Sequence, residues 1–150
     1  MVNEELLQRS IYQYLRLQMP QYVTGITINF GESQLQDPDF TYPAIRVIIT
    51  DQNPDGTGQD RLKLSKVYFI VRSYSERPSS YEANTLLGIA SQRLFNKQIT
   101  GTNLSNQPDH RIDRIDIANE KAAQRSGDRL WLAELYCVGL VTSYVEVTGY

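Results

Sequence analysis

Apolar residues recur along this chain with two different periods, and the change of period divides it into elements. Leu6, Leu7, Ile11, Tyr14 and Leu15 follow helical spacing and make one stripe. Asn3 stands where an N-cap would, and Glu4 and Glu5 fall in the first turn, where the helix dipole favours negative charge. Pro20 opposes helical geometry in Met19, so the spacing predicts a helix over roughly 4–18. A second stripe runs through Ala83, Leu86, Leu87, Ala90 and Leu94. Ser79-Ser80-Tyr81-Glu82 reads as its capping box, and the helix is expected to reach about Gln98. Gly88 lies inside it, which suggests close packing against a strand.

Elsewhere the period is that of strands. Tyr22–Phe30 alternates, with Ile26, Ile28 and Phe30 on one face, and Ala44–Thr50 and Leu62–Ser73 are β-branched runs. The turn-rich segment Asp51–Asp60 contains Asn53-Pro54-Asp55-Gly56 and joins those two runs as a hairpin. Arg111–Ala118 carries Ile112, Ile115 and Ile117, and Leu130–Val147 is a last strand, bent or in two parts. In Leu62–Val71 the apolar positions switch from even (Leu62, Leu64) to odd (Val67, Phe69, Val71), and Leu130–Val141 does the same. A switch marks a bulge, or a strand covered on both faces. The bulge is the reading adopted; two-sided covering would follow if a neighbouring subunit lay on the face away from the helices. The order α-β-β-β-α-β-β predicts one α+β domain, a mainly antiparallel sheet with two principal amphipathic helices on one face. Gly31–Pro43, Ile99–His110 and the shorter Asn119–Asp128 are left as loops, and long loops in a compact domain tend to be functional or ordered by a partner.

Composition narrows the chemistry. The 150 residues hold one Cys, one His and one Trp but ten Tyr, and Arg outnumbers Lys 11 to 4. Cys137 alone makes no disulfide, and with His110 it makes no metal cluster. A net charge of −2 argues against sequence-blind nucleic-acid binding, which needs a basic face. The acidic start and strand-length apolar runs, short of the roughly 20 residues that cross a bilayer, lead us to expect neither secretion nor a membrane partner. Arg and Tyr suit protein interfaces, although Tyr also suits strands.

No catalytic constellation emerges. His110 sits in Pro108-Asp109-His110-Arg111, read as a surface loop-to-strand junction, and Cys137 as a small core residue. Asp113 and Asp116 are expected on opposite strand faces, and Glu120-Lys121 lacks the carboxylate-x-lysine spacing of metal-dependent nucleases. Asp55-Gly56-Thr57-Gly58 lacks the Lys and helix of a phosphate loop. Catalytic, metal and cofactor residues are therefore expected to be none.

The pattern as a whole resembles a known family. Tyr42-Pro43 leads into Ala44-Ile45-Arg46-Val47-Ile48-Ile49, and a hairpin reaches Lys66-Val67-Tyr68-Phe69-Ile70-Val71-Arg72-Ser73-Tyr74-Ser75. A helix with Glu82-Ala83-Asn84 and a late strand Leu130-Trp131-Leu132-Ala133-Glu134-Leu135-Tyr136 follow. From about Leu6 to Val147 this is similar to the tail terminator (tail completion, head–tail joining) proteins of long-tailed bacteriophages. The resemblance implies a non-enzymatic virion subunit in the tail or neck, assembled in the host cytoplasm. Its partners would be itself, as a hexameric ring, the tail-tube protein and a head connector or stopper protein. DNA would pass through the lumen without sequence-specific binding. The Ile99–Asp109 segment and the Tyr-rich end from Tyr144 to Tyr150 depart from similar proteins. For the ring, the candidate interface residues are Asp51, Asp55, Asp60, Arg72, Tyr74, Arg77, Glu120, Lys121 and Arg125. Other readings are a connector, stopper or tube component, part of a contractile injection system, or, from a different class, a carboxylate-dependent nuclease.

Overall fold

The computed structural model describes residues 3–23, 26–30, 41–57, 62–103, 105–127 and 129–144. Helix α1 spans Glu4–Gln18, and Asn3 caps it by accepting the Glu5 N–H at 2.8 Å. Three short strands follow, β1 (Gln21–Val23), β2 (Ile26–Thr27) and β3 (Asn29–Phe30), then the long pair β4 (Ala44–Thr57) and β5 (Leu62–Ser75). Helix α2 is Tyr81–Leu94, and β6 (Ile99–Thr102), β7 (Pro108–Arg125) and β8 (Trp131–Tyr144) complete the chain. The main sheet has the order β3-β4-β5-β8-β7-β6; β3 joins β4 in parallel and every other neighbour is antiparallel. β1 and β2 form a separate two-stranded antiparallel sheet, and the fold is α+β, with both helices on the same face of the main sheet.

Alternation decides which face that is. In β5, Ser65, Val67, Phe69, Val71, Ser73 and Ser75 are buried; in β8, Ala133, Leu135, Cys137, Gly139 and Val141 are. These odd positions meet Leu7, Ile11 and Leu15 of α1 and Ala83, Leu86, Leu87, Ala90 and Leu94 of α2 in one core. β5 pairs with β8 in unbroken register from Leu62↔Tyr144 to Ser75↔Trp131. The expected bulge in these two strands is therefore absent, and the parity switch comes from a second apolar face. Bulges fall instead in β4, at Ile49/Asp51 and Pro54/Gly56, and in β7, at three places against β8 and one against β6.

Several loops prove to be strand. β4 runs through Asn53-Pro54-Asp55-Gly56 to Thr57, because an edge strand with a bulge tolerates a proline that cannot donate to the ladder. β7 runs to Arg125, so Glu120, Lys121 and Arg125 are strand residues, and β6 lies within the expected Ile99–His110 loop. Tyr22–Phe30, expected as one strand, is broken into pieces, although Ile28 and Phe30 are buried as read. β8 is one strand, which the described residues follow to Tyr144. Of the Gly31–Pro43 loop, residues 31–40 lie outside the described residues.

The helix ends differ too. Ser80 makes no side-chain cap, because its backbone is already helical (φ −71, ψ −6); Glu82 is buried and accepts the Ser75 hydroxyl at 2.7 Å, which ties α2 to the end of β5. The helix stops at Leu94; Asn96, at φ 56, turns its N–H to the Ile115 carbonyl of β7 at 2.8 Å. Gly88 is exposed, and a Cβ built there meets nothing within 4 Å, so it marks no close packing.

Helix α1 spans the gap between the two sides of the curled sheet. On one flank Tyr12 Oη accepts the Val47 N–H at 2.7 Å and Gln8 Nε2 donates to the Val47 carbonyl at 3.2 Å. From the other side, Arg9 donates to the Thr102 carbonyl of β6 at 2.7 Å. Tyr14 Oη donates to the Arg93 carbonyl of α2 at 2.6 Å.

Two substitutions test this. Gly88→Ala should stabilise the fold by about 0.5–1 kcal/mol, since it removes unfolded-chain entropy and meets no neighbour. Tyr12→Phe should cost about 1–3 kcal/mol, since it strips the buried Val47 N–H of its acceptor. Urea unfolding of both variants measures the two shifts, and equal midpoints would contradict the assignment.

Candidate functional site: the open face of the sheet

The even positions of β5 and β8 point away from both helices. Direct pairing across β4, β5, β8 and β7 builds this face in rows, because residues opposite one another in register share a face. One row is Arg46–Arg72–Glu134–Lys121 and the next is Ile48–Ile70–Tyr136–Asn119. Then come Asp51–Tyr68–Val138–Asp116 and Asn53–Lys66–Leu140–Arg114. Ile48, Tyr68, Ile70, Leu132, Tyr136, Val138 and Leu140 are all half-buried, although neither helix lies over them. Six of these, Ile48, Tyr68, Ile70, Tyr136, Val138 and Leu140, lie in adjacent rows as one apolar patch with charged residues at the ends of the rows, and Leu132 lies beyond the Arg72–Glu134 row.

The first charged row is a small network around Glu134. Arg72 Nε donates to Glu134 Oε2 at 2.9 Å, and Tyr136 Oη donates to Glu134 Oε1 at 3.3 Å. Lys121 Nζ lies 5.1 Å from the centroid of the Tyr136 ring. Partial burial opposes the Arg72 charge, but hydrogen bonds to Glu134 and Tyr74 outweigh it and hold the guanidinium above its ordinary range. Arg114 and Asp116 pair at 3.0 Å within β7. Rows 1 and 4 carry surplus cations and row 3 carries two carboxylates, so the face presents a banded charge pattern.

Of the nine candidate interface residues, Asp51, Arg72, Tyr74 and Lys121 fall on this face, with Tyr74 buried at its end between Ala44 and Leu132. Arg77 lies in the connection between β5 and α2 and pairs with Glu82 at 3.4 Å. Glu120 stands opposite Leu135, on the helix side, and Arg125 sits 5.0 Å from the Trp131 ring centroid. The backbone of Asp55 is in β4 beside the Pro54/Gly56 bulge, and Asp60 lies outside the described residues. Glu134, Tyr136, Ile70 and Val138 share this face and are not among the candidates from sequence. For the three apolar residues the signal is the even-position series, which the sequence analysis takes as a bulge.

The residues with chemical potential lie elsewhere. His110 is not at the surface; it is fully enclosed, with Nδ1 3.0 Å from Asp109 Oδ2 and Nε2 2.9 Å from Ser10 Oγ. Asp109 therefore does face it, and Ser10 comes from α1, a hundred residues away. Ser10 is itself 6% exposed, so the hydroxyl a substrate would have to reach is enclosed, and only the Asp109 end meets solvent. Asp113 hydrogen-bonds to Thr142 at 2.6 Å, and Asp116 lies opposite Val138, both even positions of β8. The bulge between Ile112 and Arg114 thus brings the two carboxylates to the same face, against the expectation from simple alternation. Each has an arginine neighbour, Arg111 and Arg114. Among the described residues no three His, Cys, Asp or Glu are placed to hold a metal ion.

No protein-family profile matches the chain, and no curated protein matches it in sequence. Among solved structures the fold is similar to that of a chain in the virion of a native gene transfer agent particle. That chain is 14% identical, the match covers 93% of this chain and 97% of that one, and the TM-score is 0.64. At this identity the likeness is one of fold.

Cys137 lies on the core side, and burial, helped by Glu120, pushes its thiol up to about 12. The thiolate is the reactive form. A disulfide-exchange reagent at pH 8 should therefore leave the native protein unmodified over hours and modify it within minutes in strong denaturant. Rapid native labelling would show that the strand opens there.

Proposed function

We propose that this chain is a structural virion protein whose open sheet face makes contacts between subunits of a ring. The observation that carries the reading is the shared fold with a gene transfer agent virion chain over nearly the whole length of both. The open face supports it: a half-buried apolar patch of this extent, bordered by charge, is the kind of surface that a partner covers.

Within that class we assign the chain to the end of the tail, as the ring that caps the tail tube, stops its growth and meets the head connector. The element order and residue pattern of the tail terminator proteins support this assignment. A ring closes when one patch fits a different patch on the next copy, and a sheet with helices on one side and an open face on the other offers two unlike surfaces. Arg46, Arg72, Glu134 and Lys121 would then set register across the contact more than its strength. No chemistry is assigned, because His110 and Cys137 are enclosed and the carboxylates Asp113 and Asp116 sit beside arginines.

Light scattering and negative-stain images, taken with the protein alone and mixed with cognate tail tubes, test the reading. Short rings, free or at tube ends, are expected; long tubes made by the protein alone would make it a tube subunit. A monomer that forms no ring in either setting would overturn the reading. Ile70→Lys and Val138→Lys should abolish ring formation while costing the monomer about 1–2 kcal/mol. Rings that persist in both variants would move the contact away from this face.

A further inference from the structure

His110 joins three elements at a point where solvent does not reach. Its ring lies against Gly101 of β6, where a Cβ would come within 2.1 Å of the ring carbon Cε1. Asp109 holds Nδ1 from within β7, and Ser10 of α1 faces Nε2. Across the ladder stands Ser143 of β8. Among the described residues the charged groups acting on the ring are Asp109 and, from α1, Arg9; β6 contributes uncharged Gly101 and Thr102.

The Ser10 hydroxyl has two acceptors in reach. Its Oγ is 2.9 Å from the Leu7 carbonyl and 2.9 Å from Nε2. With neutral His110, Nδ1–H donates to Asp109 and Nε2 accepts from Ser10. With a proton added, Nε2–H donates to Ser10 Oγ, and the hydroxyl hydrogen turns to the Leu7 carbonyl. Both states keep their hydrogen bonds, so the difference between them is the charge. A full positive charge on His110, which has 0% exposure and lies under the influence of Arg9 of α1, gains hydration only if α1 moves away.

We propose that the Ser10–His110–Asp109 chain is an acid-opened latch on helix α1. At neutral pH it fastens the N-terminal half of α1 to β6 and β7. Protonation loosens that half, and because Gln8 and Tyr12 share its turns, Val47 on β4 loses its side-chain partners at the same time. The output is an uncovered edge on β4, available for pairing. The inference stands on this cluster alone and does not depend on the ring.

The sign follows from the direction of the shift. Burial pushes His110 below its ordinary value of 6.5, Asp109 works against that, and Arg9 adds to it. The unfolded or opened form therefore takes up the proton more readily. The latch is at full strength above about 6.5 and weakens as pH falls below that towards the lowered folded value.

His110 is the chain's one histidine, so its Cε1 proton gives a single titrating NMR signal. That signal should titrate below 6.5, and the amide signals of residues 4–12 should shift with the same midpoint. Hydrogen exchange, corrected for its intrinsic pH dependence, should speed up in α1 relative to α2 by roughly three- to tenfold between pH 7.5 and 5.0. His110→Gln should remove that differential. If the variant does not fold, the wild-type titration decides alone. A histidine that titrates without moving the α1 amides would overturn the latch, as would equal acceleration in both helices or a differential that survives in the variant.

Discussion

Everything in this fold depends on helix α1 bridging the sheet from side to side. The sheet order places β4 near one end and β6 at the other, and both touch the same helix. Leu7, Ile11 and Leu15 are wholly buried beneath it, so the apolar stripe supplies the attraction. Direction comes from the flanks. Gln8 and Tyr12 satisfy Val47 on one side; Arg9 and Ser10 reach Thr102 and His110 on the other. Edge strands carry unpaired backbone groups that a protein must cover. Here a helix less than five turns long covers part of two of them, with four side chains from two successive turns.

That constraint separates the two sides of the sheet. With both helices on the odd side, neither helix covers the even side of β5 and β8, yet among the described residues it carries half-buried Ile70, Tyr136 and Val138. An apolar series on an uncovered face has little reason to persist for folding alone, since the core is already formed opposite. The same asymmetry sorts the reactive groups: Cys137 and His110 went to the covered side, whereas Arg72, Glu134 and Lys121 went to the open one.

The sequence made much of this legible, and for identifiable reasons. Both helices followed from apolar stripes, and the Asn3 cap held because an Asn before two glutamates has little else to do. The β4–β5 hairpin followed from a turn-rich segment between two β-branched runs, and the core position of Cys137 from alternation. What failed was non-local. Alternation in β5 and β8 looked interrupted because it counts apolar residues on both faces without knowing which is covered. In β7 the spacing Ile112, Ile115, Ile117 did hold a bulge, but one sequence does not show where the partner strand's register slips. His110 looked like a loop residue because Ser10, which encloses it, lies a hundred positions away. Of the candidate interface residues, Asp51, Arg72, Tyr74 and Lys121 share the open face because strand pairing sets them in register, and the apolar residues beside them are legible only once that register is known.

The bulges of β7 carry one more implication. From Ile112 to Arg125 β7 uses three more residues than β8 uses from Val141 to Trp131, and the surplus is taken up at three separate places. β8 and β5, by contrast, match residue for residue. Extra length is thus taken up in the flanking strands β4 and β7 and is absent from the inner β5–β8 pair. Each bulge is a place where a residue enters without reversing the strand's inside and outside beyond it. A lineage carrying this fold could lengthen or shorten β7 one residue at a time, re-aiming its outer end, while the β5–β8 pair stayed fixed as the ruler against which the change is made.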